Sequence, residues 1–452
     1  MINSAGALYR IFLVASLVAL GVAAAASSVA AGPTTRVSVD SVGRQVNGPS
    51  SVAAISSDGR FVAFESDATN LVPGDTNGLT DVFVHDLVTG TTTRVSVDSQ
   101  GRQANGPSRN PAISGDGRFV AFESDATNLV PGDTNGLTDI FVRDLVTGTT
   151  TRVSVDSQGR QANGPSYNAA ISTPGPVFGP ISLPAPPTVG PFIAFESDAT
   201  NLVPGDTNGR RDIFVRDLVT GSTLRVSVDS AGRQANGPSS SPVISATGRI
   251  VAFESDATNL VPGDTNGKRD IFVYDLVTKS TTRVSVDSLG RQANGPSYNP
   301  ATASDGRFVA FESDATNLVP SDFNGRRDVF LHDVVAGSTT RVSVDSSGRE
   351  ANGPSFNAAT SSDGRFVAFD SDASNLVPQD SNGVRDVFLR DVRAGSTTRV
   401  SVDTAGRQAV GGASGGPAIS TDGRFVAFES DATNLVLNDT NGKRDVFLHD
   451  MK

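Results

Sequence analysis

Cysteine and tryptophan are both absent from this chain of 452 residues. Without cysteine the protein forms no disulfides, no thiolate nucleophiles and no cysteine-type zinc sites. After the first 31 residues the chain also lacks long apolar runs, so we expect no later segment to cross a bilayer. Helical periodicity is missing too, because no segment as long as ten residues places apolar side chains at the helical spacing. These absences favour an all-β protein.

The formal net charge is −11 at pH 7. An acidic surface repels phosphate groups, so we expect neither a nucleic-acid partner nor an anionic membrane partner. It keeps an exported protein soluble, and it suits divalent cations or basic partners.

The N-terminal segment differs in composition from the rest. One cation, Arg10, precedes an apolar run from Ile11 to about Ala26, and small residues follow up to Ala31. This pattern predicts a signal peptide over residues 1–31, with a membrane anchor as the alternative. The apolar core is shorter than the ~20 residues that a spanning helix needs. We therefore expect a periplasmic or extracellular protein with no stable membrane insertion after cleavage.

Two phrases recur seven times. Successive copies of the phrase RVSVD begin 58 residues apart, except once, where the spacing is 73. Its copies begin at Arg36, Arg94, Arg152, Arg225, Arg283, Arg341 and Arg399. The phrase F/I-x-A-F-E/D-S begins at Phe61, Phe119, Phe192, Ile250, Phe308, Phe366 and Phe425. Seven repeat units therefore fill residues 34–452 and leave no remainder for a second domain.

Each unit divides into four short strand-like runs separated by turn residues. In the second unit these runs are Asn110–Ser114, Arg118–Glu123, Asp139–Arg143 and Thr151–Asp156. The second run is almost entirely apolar, which predicts burial on both faces. The fourth alternates Val with polar residues, which predicts an outer strand with one wet face. Seven such units predict a seven-bladed β-propeller of four-stranded antiparallel blades.

The ends of the repeat array predict how the ring closes. The first RVSVD, residues 36–40, is a fourth strand without a preceding three, and the last unit stops after its third strand. We expect the N-terminal strand to complete the last blade, which leaves no open edge.

The pairing of S-D-G-R-F-V-A-F-x-S with D-I-F-V-x-D-L-x-T-G resembles the TolB-type β-propeller repeat, a relative of the WD repeat. The resemblance covers all seven units and implies a propeller fold and a periplasmic protein–protein role. The same repeat builds the propellers of prolyl oligopeptidase-type enzymes. The WD dipeptide is missing, and so is the α/β domain that precedes the TolB propeller.

Propeller geometry places the two long polar connections of each unit on one face, where we expect function to concentrate. The variable positions of the first strand are candidate partner-binding residues; they are Arg109, Tyr167, Ser240, Tyr298 and Phe356. The third unit carries a Pro- and Gly-rich insertion at residues 173–191 between its first two strands. We interpret it as a tolerated surface insertion, with a hydrophobic contact arm as the alternative.

The repeated D-T-N-G loop is the candidate metal site. An Asp, an Asn, a turn-forming Gly and a closing Asp supply oxygen ligands of the kind that calcium prefers. The loop is similar to the end of the calcium loops of integrin-type propellers, but a Pro or Leu stands where their leading Asp would be. In units three to seven an Arg precedes the closing Asp, so calcium is predicted for the first two units only. The predicted ligands are Asp75, Asn77, Asp81, Asp133, Asn135 and Asp139. The alternative is a turn whose Asp accepts backbone N–H groups.

Catalytic motifs are scarce in the sequence. The histidines, His85, His332 and His449, share one position at the end of the third strand, where other units carry Arg or Tyr, so we interpret them as exposed strand residues. No G-x-S-x-G elbow is present. The carboxylates that end the second strand, such as Glu65, Glu123 and Glu196, are expected to have the same surroundings in every unit, whereas acid–base catalysis needs different ones.

These observations predict an exported, non-catalytic and monomeric scaffold that binds a protein or a cell-surface component, with no certain cofactor beyond possible calcium. A calcium-stabilised extracellular adhesion protein is the alternative. A propeller-fold lyase or glycosidase ranks third.

Overall fold

The computed structural model describes residues 32–173 and 191–452. Within these residues the regular elements are 28 strands in seven four-stranded antiparallel sheets. This is the predicted seven-bladed β-propeller. The predicted signal peptide and residues 174–190 of the insertion lie outside the described residues. No helix long and apolar enough to span a membrane occurs within 32–173 and 191–452.

The strands are described by their place in the blade, from the central channel outwards. The innermost strands are β2 (Ser50–Ile55), β6 (Ser108–Ile113), β10 (Ser166–Ile171), β14 (Ser239–Ile244), β18 (Ser297–Thr302), β22 (Ser355–Thr360) and β26 (Ser414–Ile419). The second strands are β3 (Phe61–Ser66), β7 (Phe119–Ser124), β11 (Phe192–Ser197), β15 (Ile250–Ser255), β19 (Phe308–Ser313), β23 (Phe366–Ser371) and β27 (Phe425–Ser430).

The outer half of each blade follows the same order. The third strands are β4 (Asp81–Asp86), β8 (Asp139–Asp144), β12 (Asp212–Asp217), β16 (Asp270–Asp275), β20 (Asp328–Asp333), β24 (Asp386–Asp391) and β28 (Asp445–Asp450). The outermost strands are β5 (Thr91–Arg94), β9 (Thr149–Arg152), β13 (Thr223–Arg225), β17 (Ser280–Arg283), β21 (Ser338–Arg341), β25 (Ser396–Arg399) and, for the seventh blade, β1 (Thr34–Arg36).

Strand β1 closes the ring as the sequence predicts. It pairs antiparallel with β28, the last strand of the chain, with Thr34 opposite His449 and Arg36 opposite Phe447. The first and last segments of the propeller therefore share one sheet, and the seventh blade has no missing strand.

The hydrophobic core lies between the blades. One core cluster joins Ala63 and Val82 of the first blade to Val120, Phe122 and Phe141 of the second. The second and third strands of every blade also contribute a pair of stacked Phe rings, 5.8–6.0 Å apart between centroids. Their continuous apolar runs are buried on both faces because a neighbouring blade covers each face, as predicted.

The fourth strand differs from the prediction. We expected it at Thr151–Asp156 in the second blade, but β9 ends at Arg152. Val153, Ser154, Val155 and Asp156 are all buried, so the predicted wet face is wrong. The chain leaves the sheet after Arg152 and packs against the next blade, where the Val155 carbonyl accepts a hydrogen bond from Thr223 Oγ1. An alternating pattern predicts a half-exposed strand only where the segment stays in a sheet.

A ring of hydrogen bonds joins the short turns between first and second strands. The Ser57 N–H donates to the Gly115 carbonyl of the next blade at 2.9 Å, and the Thr421 N–H returns to the Ser57 carbonyl at 3.1 Å. The remaining bonds of the ring run from Gly115 to Thr173, Thr173 to Ala246, Thr247 to Ser304, Ser304 to Ser362 and Ser362 to Thr421. The ring thus closes blade to blade around the end of the channel that carries the short turns.

Candidate functional site: the channel mouth

The innermost strands enclose a central channel with a volume of about 1180 Å³. The innermost strand of each of the first six blades contributes four consecutive residues to its wall, for example Val52–Ile55 and Asn110–Ile113, and the seventh blade contributes residues 413–419. Ala, Pro, Val and Ile make up most of this wall, so it is largely apolar. Polar groups concentrate where the channel opens onto the face of the long loops, which we call the channel mouth.

A β-bulge interrupts each innermost strand at the channel mouth. In the first blade the register shifts between Ser51 and Ala54, and Val52 between them has a φ of 51°. A bulged residue leaves the regular ladder, so its N–H is free to point elsewhere. The residues with positive φ at this position are Val52, Asn110, Asn168, Ser241, Asn299, Asn357 and Gly416.

A carboxylate of the preceding blade accepts a hydrogen bond from the N–H of each bulge residue, at 2.6–3.1 Å. The pairs are Val52 with Glu429, Asn110 with Glu65, Asn168 with Glu123, Ser241 with Glu196, Asn299 with Glu254, Asn357 with Glu312 and Gly416 with Asp370. The carboxylates that the sequence places at the end of the second strand therefore link the blades into a circle. We call them the ring carboxylates.

Arginine side chains surround the ring carboxylates in the third to seventh blades. Each forms an ion pair with an aspartate of its own blade; the pairs are Arg211 with Asp198, Arg269 with Asp256, Arg327 with Asp314, Arg385 with Asp372 and Arg444 with Asp431. Four of these arginines also reach a ring carboxylate at 2.9–3.4 Å; the exception is Arg385. In the first two blades Thr80 and Thr138 donate to the equivalent aspartates instead.

Aromatic rings lie beside these arginines. Tyr167, Tyr298 and Phe356 are half-buried second residues of their innermost strands, three of the positions that the sequence marks as variable. The guanidinium carbon of Arg327 lies 4.0 Å from the centre of the Tyr298 ring, and that of Arg385 lies 4.3 Å from the centre of the Phe356 ring. The mouth therefore carries an arc of aromatic and guanidinium groups over the third to sixth blades, with Ser240 in place of the aromatic residue in the fourth.

The seam between the sixth and seventh blades departs from this pattern. Its ring carboxylate is Asp370, one methylene shorter than the Glu of the other six blades, and the facing strand carries Gly415 and Gly416. Asp370 is 1 % exposed, and burial raises its pKa. The channel reaches Asp370, Arg385 and Glu429 here, whereas at the first five blades it touches the innermost strands alone.

The seven ring carboxylates therefore do not share one environment, contrary to the sequence-based expectation. Burial raises the pKa of Glu123 as well, in a blade whose mouth arginine, Arg109, pairs with Asp125. The sequence contains the signal for these differences, namely Asp370, Gly415 and Thr138 at otherwise repeated positions.

The predicted metal ligands of the first blade lie together. Asn77 Nδ2 donates to Asp81 Oδ2 at 3.3 Å, and Asn77 Oδ1 accepts the Leu79 N–H, which forms the turn. Nη1 of Arg94 lies 3.2 Å from Asp75 Oδ1 and 3.4 Å from Asp81 Oδ2, so a guanidinium already stands between the two carboxylates. Burial raises the pKa of both aspartates.

The second blade repeats this arrangement. Arg152 Nη1 lies 3.0 Å from Asp133 Oδ1 and 3.3 Å from Asp139 Oδ2, and Asn135 Nδ2 donates to Asp139 at 2.9 Å. The sequence analysis missed Arg94 and Arg152, although both belong to the repeated RVSVD phrase. Calcium binding at these residues stays a prediction.

The histidines were predicted to be exposed, and this is wrong. His85, His332 and His449 are 1–6 % exposed. Nδ1 of each lies 2.8–2.9 Å from a threonine hydroxyl on the neighbouring outermost strand. The long side chains at this position reach across to the chain that links two blades, for example Arg143 Nη1 to the Asp98 carbonyl at 2.9 Å. The shared position is therefore a packing position inside the outer part of the blade.

No family model matches this chain, and no curated protein matches it. Solved structures do match. An oligogalacturonate lyase from Vibrio parahaemolyticus is 14 % identical and has a TM-score of 0.51, with 94 % of this chain and 99 % of that chain covered. An oligogalacturonate lyase in complex with manganese is also 14 % identical, with a TM-score of 0.50 and coverages of 94 % and 98 %.

A TolB protein from Agrobacterium tumefaciens is 15 % identical and covers 66 % of this chain and 82 % of its own, with a TM-score of 0.37. At this score the likeness to TolB concerns the β-propeller fold and gives no information about function. All of these identities are low, so the likenesses establish the fold alone.

The comparisons overturn the prediction of a non-catalytic scaffold. That prediction depended on the scarcity of catalytic motifs and on the expected equivalence of the carboxylates, but the lyases match over 98–99 % of their own length and are enzymes. A propeller of this extent therefore needs no added domain to be an enzyme.

One of these lyases is in complex with manganese. Within the described parts of the chain, no group of three or more His, Asp or Glu side chains is placed to hold a metal ion. Each histidine is paired with a threonine inside a blade, far along the sheet from the channel mouth.

Proposed function

We propose that this protein is an enzyme that cleaves an oligosaccharide bound at the channel mouth. The observation that carries the proposal is the combination of half-buried aromatic rings, ring carboxylates and guanidiniums around one apolar channel. A sugar presents C–H faces and hydroxyl groups together, so it fits a concave site that has both kinds of partner.

The lyases of similar extent support elimination as the reaction class. Elimination next to a sugar carboxylate needs a base that removes the neighbouring proton and a cation that balances the carboxylate. The double bond forms as the glycosidic C–O bond on the next carbon breaks, and the glycosidic oxygen leaves with the outgoing sugar. The mouth carries carboxylates whose pKa is raised by burial, Glu123 and Asp370, and guanidiniums that reach the same surface. A raised pKa brings a carboxylate closer to the range in which a general base works at neutral pH.

The test is an activity screen with oligogalacturonate and with neutral galacto-oligosaccharides. Ultraviolet absorbance detects the conjugated double bond that elimination forms, and a reducing-end assay detects hydrolysis. We expect cleavage of at least one substrate, and a Tyr298→Ala variant with a KM raised about tenfold, since one stacking contact contributes up to ~1.5 kcal/mol.

The matched control is Val88→Ala, which truncates a side chain that is 74 % exposed on the short-turn face. It should leave KM unchanged. Failure to cleave both substrate classes, or an equal loss in the two variants, contradicts the proposal.

We also propose that the protein acts in the periplasm or outside the cell, as a monomer, on a glycan of a cell surface. The signal-peptide pattern of residues 1–31 supports the location. Cell fractionation with an antibody against the propeller tests it, and recovery in the cytoplasmic fraction contradicts it.

A further inference from the structure

At the seam between the sixth and seventh blades the central channel extends to Asp370 and Arg385, whereas at the first five blades it touches the innermost strands alone. The second residue of the innermost strand is Ser, Arg, Tyr or Phe in six blades but Gly415 in the seventh. A Cβ added to Gly415 would lie 2.6 Å from Asp370 Oδ2 and 3.9 Å from Arg385 Cδ. Because Gly415 has no side chain, the Asp370 carboxylate lies close against β26, and Asp370 and Arg385 both border this opening of the channel.

The two groups at this opening have unused hydrogen-bonding capacity. Asp370 Oδ2 accepts from Asn357 Nδ2 at 3.0 Å and from the Gly416 N–H at 3.1 Å. Asp370 Oδ1 is buried and has no hydrogen-bond partner among the described residues. Leaving a buried charged oxygen unpaired is costly, which marks the site as one built for a donor.

Arg385 pairs with fewer carboxylates than the equivalent arginines of the other four blades do. Its Nε and Nη2 bind both oxygens of Asp372, at 2.8 and 3.1 Å. In the other four blades Nη1 continues to the ring carboxylate, for example from Arg269 to Glu254 at 3.0 Å. Asp370 is too short for this contact, so Nη1 of Arg385 makes no ion pair with a carboxylate among the residues that the structure describes.

We propose that this opening, formed by Asp370, Arg385, Gly415 and Gly416, is a subsite that binds the vicinal diol of an uncharged sugar unit. One hydroxyl donates to Asp370 Oδ1, and the neighbouring oxygen accepts from Arg385 Nη1. The inference rests on the proposed function, because it assigns a sugar as the ligand.

Charge favours a diol over a sugar acid at this subsite. In the lining of the channel at this opening, the carboxylates of Asp370, Asp372 and Glu429 outnumber the guanidiniums of Arg385 and Arg444. A ligand carboxylate would face this net negative charge, whereas a hydroxyl can donate to it. The adjacent wall of Pro417, Ala418 and Ile419 is apolar and suits the C–H face of the same sugar unit.

The test compares binding of methyl galactoside and methyl galacturonoside, which differ in the carboxylate, by ligand-observed NMR. We expect wild-type protein to bind methyl galactoside, and to bind methyl galacturonoside at least tenfold more weakly. Asp370→Glu should bind methyl galactoside at least tenfold more weakly than wild type, because the longer side chain reaches Arg385 as in the other blades.

The control is Val88→Ala, which truncates a side chain that is 74 % exposed on the short-turn face, away from the subsite. It should bind methyl galactoside as wild type does. Gly415→Ser, which restores the residue of the first and fourth blades, should block binding, and melting curves verify that each variant is folded.

Unchanged binding in folded Asp370→Glu and Gly415→Ser, or no binding of methyl galactoside to wild type, overturns the subsite. Cleavage of oligosaccharide with an unchanged KM in Asp370→Glu also overturns the subsite but leaves the proposed function standing. Binding that depends on Asp370 in a protein that cleaves no oligosaccharide supports the subsite and removes the proposed function.

Discussion

At the scale of the residue, equivalent positions of the repeat show which side chains the geometry prefers. The bulge residue of the innermost strand has a φ of 46–57° in every blade. Four blades place Asn there and others place Ser or Gly, but the first blade places Val52. A β-branched residue in the left-handed region is strained, because its Cβ approaches the following carbonyl oxygen.

Val52→Asn should therefore stabilise the protein by about 1 kcal/mol, since Asn adopts this conformation more readily. The free energy of unfolding from urea titration measures the effect. The reverse change in the second blade, Asn110→Val, should destabilise by at least that amount, because it also removes the hydrogen bond from Asn110 Nδ2 to Glu123. A Val52→Asn variant that is no more stable than wild type contradicts the assignment of strain.

Arg94 lies between two buried aspartates, so its loss should lower the free energy of unfolding. Arg94→Gln should destabilise the protein by about 3 kcal/mol, because it leaves the Asp75 and Asp81 carboxylates without a counter-charge. The control is Arg44→Gln, which removes the ion pair between Arg44 and Asp40. The Arg44 side chain is 76 % exposed. That change should stay within about 0.5 kcal/mol in the same titration, since exposed pairs contribute little. Equal losses in both variants would contradict the distinction.

The calcium prediction is tested at the same loops. If Asp75, Asn77 and Asp81 and their equivalents in the second blade bind calcium, calcium should raise the melting temperature, EDTA should reverse the rise, and Asp75→Asn should reduce it. Scanning calorimetry with and without calcium measures this. A melting temperature that neither calcium nor EDTA changes would rule out the prediction.

At the scale of the element, the segment after each outermost strand connects two blades. In the first such segment Ser38 Oγ donates to Asp445 Oδ1 at 2.6 Å, and Arg36 lies 2.8 Å from Asp439. These contacts join the N-terminal strand β1 to the seventh blade, although Ser38 and Asp445 are 407 residues apart in the sequence. His449 lies in the same contact, because its Nδ1 is 2.8 Å from Thr34 Oγ1 across the β1–β28 pair.

The closure of the ring should depend on pH through His449. Burial lowers the pKa of His449 to about 4, while an unfolded histidine titrates near 6.5. Between these values the unfolded state binds more protons, so stability should fall as the pH drops from 6.5 to 4, by up to about 3 kcal/mol. His449→Tyr, which copies Tyr274 of the fourth blade, should flatten this dependence in urea titrations between pH 6.5 and 5. The same slope in both proteins would contradict the role of His449.

At the scale of the whole molecule, the same contacts repeat around a closed circle. The turn ring, the ring carboxylates and the inter-blade core clusters each include a link between the seventh and first blades. The stability of each blade thus depends on its two neighbours, and opening the ring at one seam exposes two blade faces.

Removal of strand β1 should therefore destabilise the entire propeller. A chain that starts at residue 41 loses the β1–β28 pairing and leaves Asp439 and Asp445 without Arg36, which should cost at least about 3 kcal/mol. A chain that starts at residue 32 keeps β1 and serves as the control. Calorimetric melting compares the two, and equal melting temperatures would contradict closure by β1.

Much of the architecture could be predicted because its signals are local. The 58-residue period, the Asp-Gly and Thr-Gly turns and the apolar second strand are properties of short segments, so the number of blades, their strands and the closure by β1 followed from them. The residues of the mouth could be named for the same reason, since Glu65, Tyr298 and Phe356 stand at repeated positions.

Only the pairing of strands within a blade and the packing of one blade on the next decided what these side chains do. Arg94 meets Asp81 across 13 residues of sequence, and Glu65 meets the Asn110 N–H across 45, through a bulge that no local pattern shows. The burial of the histidines, the unused oxygen of Asp370 and the opening at Gly415 likewise depend on which blade faces each residue. The sequence determined the repeat and the ring, whereas the tertiary structure decided where the repeat is broken, because one changed side chain matters only against the neighbour that it faces.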